Sequence, residues 1–461
     1  PEGQSTRFEY DARDNLTAVI DPKGSRTQYH YDRDNRQTQE IRPMGEIYTF
    51  HYDSRSNLEW MSDPKGNKTV YDYTPDGQLE QQVRYAAGQL QQPETTITYQ
   101  YHHSGQLASY SDGSHGASYE YTATGQLQSE TTQFGPFSKS VAYGYHDNGD
   151  LKHYTDPEGR TLEYHYDANR QLEAITLPNV GLYTVNSHRW FAPEQVTLPG
   201  GTVQKRSYDG FMQLTGIEVN DPGKNRQMHY QYQHDKVGNI TAKATEHGAY
   251  VYQYDDLYRL IEAQNPNSDT ETFTYDPVGN RLTTQASPTP WIYNANHALQ
   301  SRPEAIGYGY DANGSTTQIT REGQTTHLIY NAANRLAEIK DHANQSVATY
   351  RYDPFGRRIS KTVHGDTTYF LYSPQGLIGE YTATGSLIRG YGYKPGGHWM
   401  TDPLYLKTGN AREQHYFYQN DHLGTPQKLM STTGAIVWDA RYEAFGQATP
   451  IPLLPGVQPV D

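Results

Sequence analysis

The chain has 461 residues, is 34 % apolar and carries a formal net charge of −14. It contains no cysteine, which excludes a disulfide framework and a thiolate zinc site. The acidic balance, with no Lys/Arg cluster, argues against a nucleic-acid surface, and no segment is long and apolar enough to span a membrane.

So low an apolar content, taken alone, leans toward disorder. Tyrosine reverses that inference, because there are 42 tyrosines against 11 phenylalanines and they fall at regular positions. In chain order, the motif Tyr-x-Tyr-Asp appears at Tyr29-His30-Tyr31-Asp32, Tyr164-His165-Tyr166-Asp167, Tyr252-Gln253-Tyr254-Asp255 and Tyr350-Arg351-Tyr352-Asp353. The second tyrosine stands at Tyr10, Tyr31, Tyr52 and Tyr73, a spacing of 21, and continues through Tyr101, Tyr121, Tyr145, Tyr166, Tyr208, Tyr254, Tyr275, Tyr352 and Tyr442. A period near 20 residues marks one small unit copied about twenty times.

Residues 69–84 show what the unit must be. Tyr71 and Tyr73 lie two apart, so an extended chain projects both rings from one face. Thr74-Pro75-Asp76-Gly77 is turn chemistry, and Leu79 and Val83 follow in a second extended run. The aspartate after the second tyrosine (Asp32, Asp53, Asp167, Asp255, Asp276, Asp353) suits the start of a turn, where its carboxylate accepts a nearby backbone N–H. Glycine or asparagine recurs about four residues later (Asn15, Asn57, Gly279, Gly314, Gly356), where a left-handed backbone is expected. No stretch sustains helical apolar spacing, and Asn331-Ala332-Ala333-Asn334-Arg335-Leu336 reads as turn plus strand.

The expected fold is all-β: one continuous array of antiparallel β-hairpins spiralling into a curved, hollow shell. About forty strands at ~4.8 Å give a ribbon of ~190 Å, which closes at a diameter of ~60 Å, too wide for side chains to fill. The inventory predicts a wall one sheet deep rather than a thick dry core. Residues 1–447 form the repeat shell, incomplete at both ends, and the proline-rich residues 448–461 form an irregular tail. Pro1-Glu2-Gly3 looks like the tail of a turn such as Asp156-Pro157-Glu158-Gly159, so the chain is expected to be a piece of a longer array. It opens without the apolar core of a signal peptide.

Catalytic, cofactor and metal sites are not expected. Most of the 19 histidines sit beside a tyrosine, as His30, His51 and His165 do, on the opposite, solvated face. The pair His102-His103 has no ligand partner at helical spacing. Asp421-His422 is a possible carboxylate–imidazole pair, but no nucleophile motif accompanies it. Trp60, Trp190, Trp291, Trp399 and Trp438 are candidate sugar platforms, so an extracellular carbohydrate-binding or adhesion module is the second reading.

The Tyr-Asp units, the Asp-Pro-Lys-Gly turns at 21–24 and 63–66, and Tyr352-Asp353-Pro354-Phe355-Gly356-Arg357-Arg358 resemble the YD repeats of Rhs proteins. The segment Asn420-Asp421-His422-Leu423-Gly424-Thr425-Pro426, followed by Tyr442-Glu443-Ala444-Phe445-Gly446, is similar to the end of a bacterial Rhs core. The resemblance implies a β-cocoon around a C-terminal toxin domain, as in bacterial polymorphic toxins, insecticidal toxin complexes and teneurins. It implies further partners: an N-terminal PAAR region, a type VI secretion spike and an immunity protein against the toxin. It also implies synthesis in a bacterial cytoplasm and delivery to target cells. Family cores close with a pair of Asp-Pro-x-Gly motifs at which an aspartyl autoprotease cuts. The motifs here begin at Asp21, Asp63, Asp156, Asp276 and Asp353, and no two have the family spacing. Protease and toxin are therefore expected outside this chain.

Overall fold

A computed structural model describes residues 3–266, 268–285, 287–303, 305–409 and 414–452. Among them the only regular elements are 42 strands, from Arg7–Tyr10 to Ala448–Pro450, with no helix. The chain divides into two compact units: residues 1–118 with 272–367, and residues 119–271 with 368–461. Within each, strands pair antiparallel with their sequence neighbours.

One repeat explains the others. Strand Arg26–Tyr31 pairs with Gln37–Ile41 in the order Gln28↔Ile41, Tyr29↔Glu40 and His30↔Gln39. Tyr31 then pairs with Gln37, so Thr38 is skipped as a bulge. The same slip occurs at Tyr52, Tyr73, Tyr166, Tyr254, Tyr275 and Tyr352. The turn that follows is held by its aspartate. Asp32 Oδ1 accepts the N–H groups of Asp34 (2.8 Å) and Arg36 (3.0 Å), while the Asp32 N–H donates to Arg36 O (3.0 Å). Asp53, Asp167, Asp255, Asp276 and Asp353 make the corresponding two bonds.

The left-handed residue lies three places after the aspartate. Gly279, Gly314 and Gly356 fill it as expected (φ 93°, 82° and 93°). Asn15 and Asn57 do not; Asp14 (φ 63°) and Ser56 (φ 69°) do. Asn15 and Asn57, one residue on, turn their amides back to Asp11 and Asp53 Oδ2, each at 3.0 Å.

The second tyrosine joins one hairpin to the previous one. The ladder between Leu16–Ile20 and Arg26–Tyr31 stops at Ala18↔Gln28, and beyond its end the Tyr31 hydroxyl donates to Leu16 O at 2.9 Å. Tyr52, Tyr73 and Tyr254 donate likewise to Gln37, Leu58 and Ile240 carbonyls. Each hydroxyl thus satisfies a carbonyl lying just beyond the end of the ladder with the following strand. The residue before the second tyrosine is exposed, as at His30 and His165 between two tyrosines and at His51 between Phe50 and Tyr52.

In the first unit the two stretches of chain meet edge to edge, turn against turn. Lys23 Nζ reaches Asp276 Oδ2 (3.0 Å), His297 Nε2 reaches Asp21 Oδ2 (2.6 Å), and Asn313 Nδ2 donates to Asp63 Oδ2 (2.6 Å). The second unit corrects the expectation of a wall without a dry core. Leu404, Tyr405 and Phe417 pack with Leu162, Tyr164, Ile175, Tyr183 and Val196, and Met430 packs with Ile217, Val219 and Met228. Apolar residues too sparse for a solid globule suffice when two sheets share one interface. The tail also differs from expectation at its start: Ala448–Pro450 is a short strand paired with Ile436–Tyr442. Residues 453–461 lie outside the described part.

Candidate functional site

The segment Asn420–Pro426 ties the two layers of the second unit together. Asn420 ends strand His415–Asn420 and donates through Nδ2 to Asp402 Oδ1 (2.7 Å) and Pro403 O (2.9 Å). Asp421 Oδ1 accepts the N–H groups of Leu423 (2.9 Å) and Thr425 (3.0 Å), the same turn as at Asp32 and Asp53. Its Oδ2 accepts Gln427 Nε2 (3.1 Å), and Gln427 Oε1 in turn accepts the Tyr230 hydroxyl (2.9 Å). Gly424 has φ 77°, and a Cβ there would stand 2.8 Å from Asp402 N. Pro426 begins the next strand, and its carbonyl accepts the Tyr442 hydroxyl (2.6 Å).

The Asp421 oxygens are taken by two main-chain amides and Gln427. The His422 ring lies 5.0 Å from that of Tyr232, and burial lowers its basicity. Leu423 is exposed at the tip. Through these bonds the segment clasps strands that lie far apart in the chain.

The repeat aspartates hold turns and the repeat tyrosines join hairpins. The backbone N–H of Arg36 lowers the Asp32 carboxyl from its usual range, as an anion holding a turn requires. Burial pushes Tyr166 up to about 12, and Tyr31, Tyr52, Tyr254 and Tyr352 rise for the same reason. Among the described residues no three His, Cys, Asp or Glu side chains gather as a metal cage. The tryptophans do not share a platform. Trp60 stacks on His51 (5.3 Å), Trp399 on Tyr372 (6.1 Å), and Trp291 is buried beneath Arg281 and Arg302. Trp438 packs against the Leu406, Leu429 and Val437 cluster, while Trp190 is exposed in a turn.

Sequence reasoning missed the buried charges. Lys407 Nζ pairs with Asp156 and, at 2.9 Å, with Glu158 Oε2. Glu158 Oε1 also accepts the hydroxyl of the fully buried Tyr381 at 3.1 Å. Lys428 pairs with Asp439 (2.5 Å) and Glu246 (3.0 Å). Lys394 meets Asp402; burial raises that carboxyl, but Lys394 and Arg206 outweigh it and hold it low. The Asp156-Pro-Glu-Gly turn was visible in sequence, but its lysine lies 251 positions away.

Bulged hairpins clasped by Tyr and Asp, with sheet laid on sheet, define a repeat-built β-shell protein. The teneurin YD-shell family profile matches residues 196–449, more than half of the chain, and RHS repeat profiles match residues 1–26, 10–47 and 145–179. The chain belongs to the Rhs/YD-repeat family.

Curated relatives include double-stranded DNA deaminase toxin A of Burkholderia cenocepacia, 24 % identical over 54 % of this chain and 19 % of its own length. The probable deoxyribonuclease RhsB of Dickeya dadantii is 27 % identical over 60 % of this chain and 20 % of its own. Mouse teneurin-4 is 26 % identical over 47 % of this chain and 8 % of its own. The chain thus spans a fifth or less of the length of these relatives. Among solved structures, the complex TcdB2-TccC3-Cdc42 matches 96 % of the chain with a TM-score of 0.78 at 17 % identity, covering 26 % of that chain. TcdB2-TccC3 without its hypervariable C-terminal region matches with a TM-score of 0.79 at 16 % identity, covering 96 % of this chain and 26 % of that one. At that identity the likeness is one of fold.

Proposed function

We propose that this chain is a stretch of wall in the shell of an Rhs polymorphic toxin, which encloses a C-terminal toxic domain and keeps it inactive until delivery. The observation that carries the reading is the match of 96 % of the chain to the TcdB2-TccC3 fold. The wall's chemistry supports it. Many strands have one wet, largely polar face, with His30, His51, Asp72, Gln100, Glu120, Glu163 and His165 exposed between half-buried or buried neighbours. Such a surface holds an unfolded polypeptide without offering it an apolar face on which to collapse. The repeat tyrosines are engaged in joining hairpins, so they do not favour the carbohydrate-binding reading.

In this proposal the wall is not itself an enzyme. The nuclease and deaminase names of relatives reflect domains beyond the shell, and here an autoprotease and toxin follow the wall. A PAAR region precedes it, a type VI spike delivers it, and an immunity protein guards the producing cell.

Limited proteolysis of the full-length parent tests the reading. Its C-terminal domain is expected to survive trypsin inside the shell and to be degraded without it, while residues 1–461 alone neither kill cells nor retain cargo. Equal degradation with and without the shell refutes encapsulation. Killing of neighbours that persists after deletion of the spike gene refutes the type VI route alone.

A further inference from the structure

The first unit holds a cavity of about 220 Å³ where its two stretches meet, lined among others by Tyr48, Tyr71, Gln82, Arg84, Asn334 and Arg335. At ~30 Å³ per water it has room for several, or for a small ion with part of its hydration shell. Two guanidinium groups reach it from opposite stretches.

Arg84, on strand Leu79–Tyr85, is only 8 % exposed. Its one side-chain hydrogen bond runs from Nη2 to the neutral Gln82 Oε1 (3.0 Å), and among the described residues it forms no ion pair. Arg335 donates to the carbonyls of Asp353 and Pro354, and it too has no ion pair among the described residues. Burial lowers the basicity of both, and Arg84 lowers that of Arg335 further, with the more distant charges of Glu94 and Asp353 only partly offsetting it. Arginine nevertheless keeps its proton, so two cations face one cavity.

The neighbouring carboxylates are engaged elsewhere. Asp63, on the cavity wall, accepts Asn67 N (2.8 Å), Asn67 Nδ2 (2.7 Å) and Asn313 Nδ2 (2.6 Å). Glu94 accepts Ala332 N (2.8 Å), and Asp353 is held by Phe355 N, Arg357 N and the Arg357 side chain. A buried guanidinium without a directly paired carboxylate is costly, and two adjacent oxygens of a carboxylate or phosphate match its donor fork.

We propose that this cavity is a binding site for a small oxyanion, a phosphate or a carboxylate group, held between Arg84 and Arg335. The site stands independently of the toxin-shell reading. The same chemistry is available from free inorganic phosphate and from a glutamyl side chain of a bound polypeptide.

Calorimetric titration of the whole chain at fixed ionic strength tests it, with inorganic phosphate in one arm and N-acetyl-glutamate amide in the other. Saturable 1:1 binding of at least one probe is expected, weakened at least tenfold in Arg84→Gln. Gln82→Glu keeps the side chain's shape and places a carboxylate on Arg84, so it should weaken binding by the same factor in a folded protein. It decides the matter should Arg84→Gln fail to fold. Tighter phosphate binding assigns the site to the free ion, and tighter glutamate binding to a chain-borne carboxylate. No saturable binding of either probe, or unchanged affinity in the folded variants, overturns the proposal.

Discussion

Mild acid should loosen the first unit through His115. This residue closes the turn 112–115, is 3 % exposed, and has the Tyr110 ring 5.8 Å away. Burial holds its imidazole down to about 4; the charges of Asp112 and Asp353 oppose that shift, and those of Arg351 and Arg357 add to it. The unfolded chain takes up the proton near pH 6.5, the folded one only near 4. A depressed folded value means that the stability is intact above 6.5 and is lost as pH falls toward 4. At ~1.4 kcal/mol per unit of difference, the loss between pH 7.5 and pH 5.0 is about 2 kcal/mol. Amide hydrogen exchange of Leu107–Ser111, corrected for intrinsic rates, reads this as faster local opening. In His115→Gln that component of the pH response should vanish, while the contribution of surface carboxylates remains and cancels in the comparison. Equal pH responses in the two proteins, or a His115 resonance titrating near 6.5, would refute the reasoning.

Tyr254→Phe removes the hydroxyl bond to Ile240 O and should cost ~1 kcal/mol, against ~2–4 kcal/mol for Tyr254→Ala, with exchange rising mainly in adjacent hairpins. Unchanged protection in both would mean that the ring does not join the repeats. Lys407→Met leaves the buried Asp156 without its cation, while Glu158 keeps Lys139 at 3.5 Å, and should cost ~3–5 kcal/mol, partly recovered by adding Asp156→Asn. Urea unfolding followed at Thr161–Tyr166 checks the order of the three proteins. Gly424→Ala combines φ 77° with a Cβ 2.8 Å from Asp402 N and should cost ~1–3 kcal/mol, seen as exchange in Pro426–Ser431. The same substitution at Gly279, whose Cβ would meet nothing within 4 Å, should cost less.

The sequence by itself determined the repeat: its tyrosines, its aspartate turns, its strands and the absence of helix. These features are local, since Asp32 bonds two and four residues ahead and Tyr31 bonds fifteen residues back, so a period near 20 carries them all. Even there, one step of register escaped the reading, because Asn57 and Ser56 are both turn formers and only the ladder slip shows which adopts φ > 0. The clasp at Asn420–Pro426 was legible as a segment but not as a tie to Tyr230, and the pairing of Lys407 with Asp156 left no local trace. Where the second stretch lies on the first was decided by tertiary structure alone. That choice depends on which distant apolar faces and charges meet, and residues some 250 positions apart carry no periodic signal of each other. Packing of Met430 on Met228, and of Phe417 with Ile175, therefore supplied the core that composition alone did not disclose.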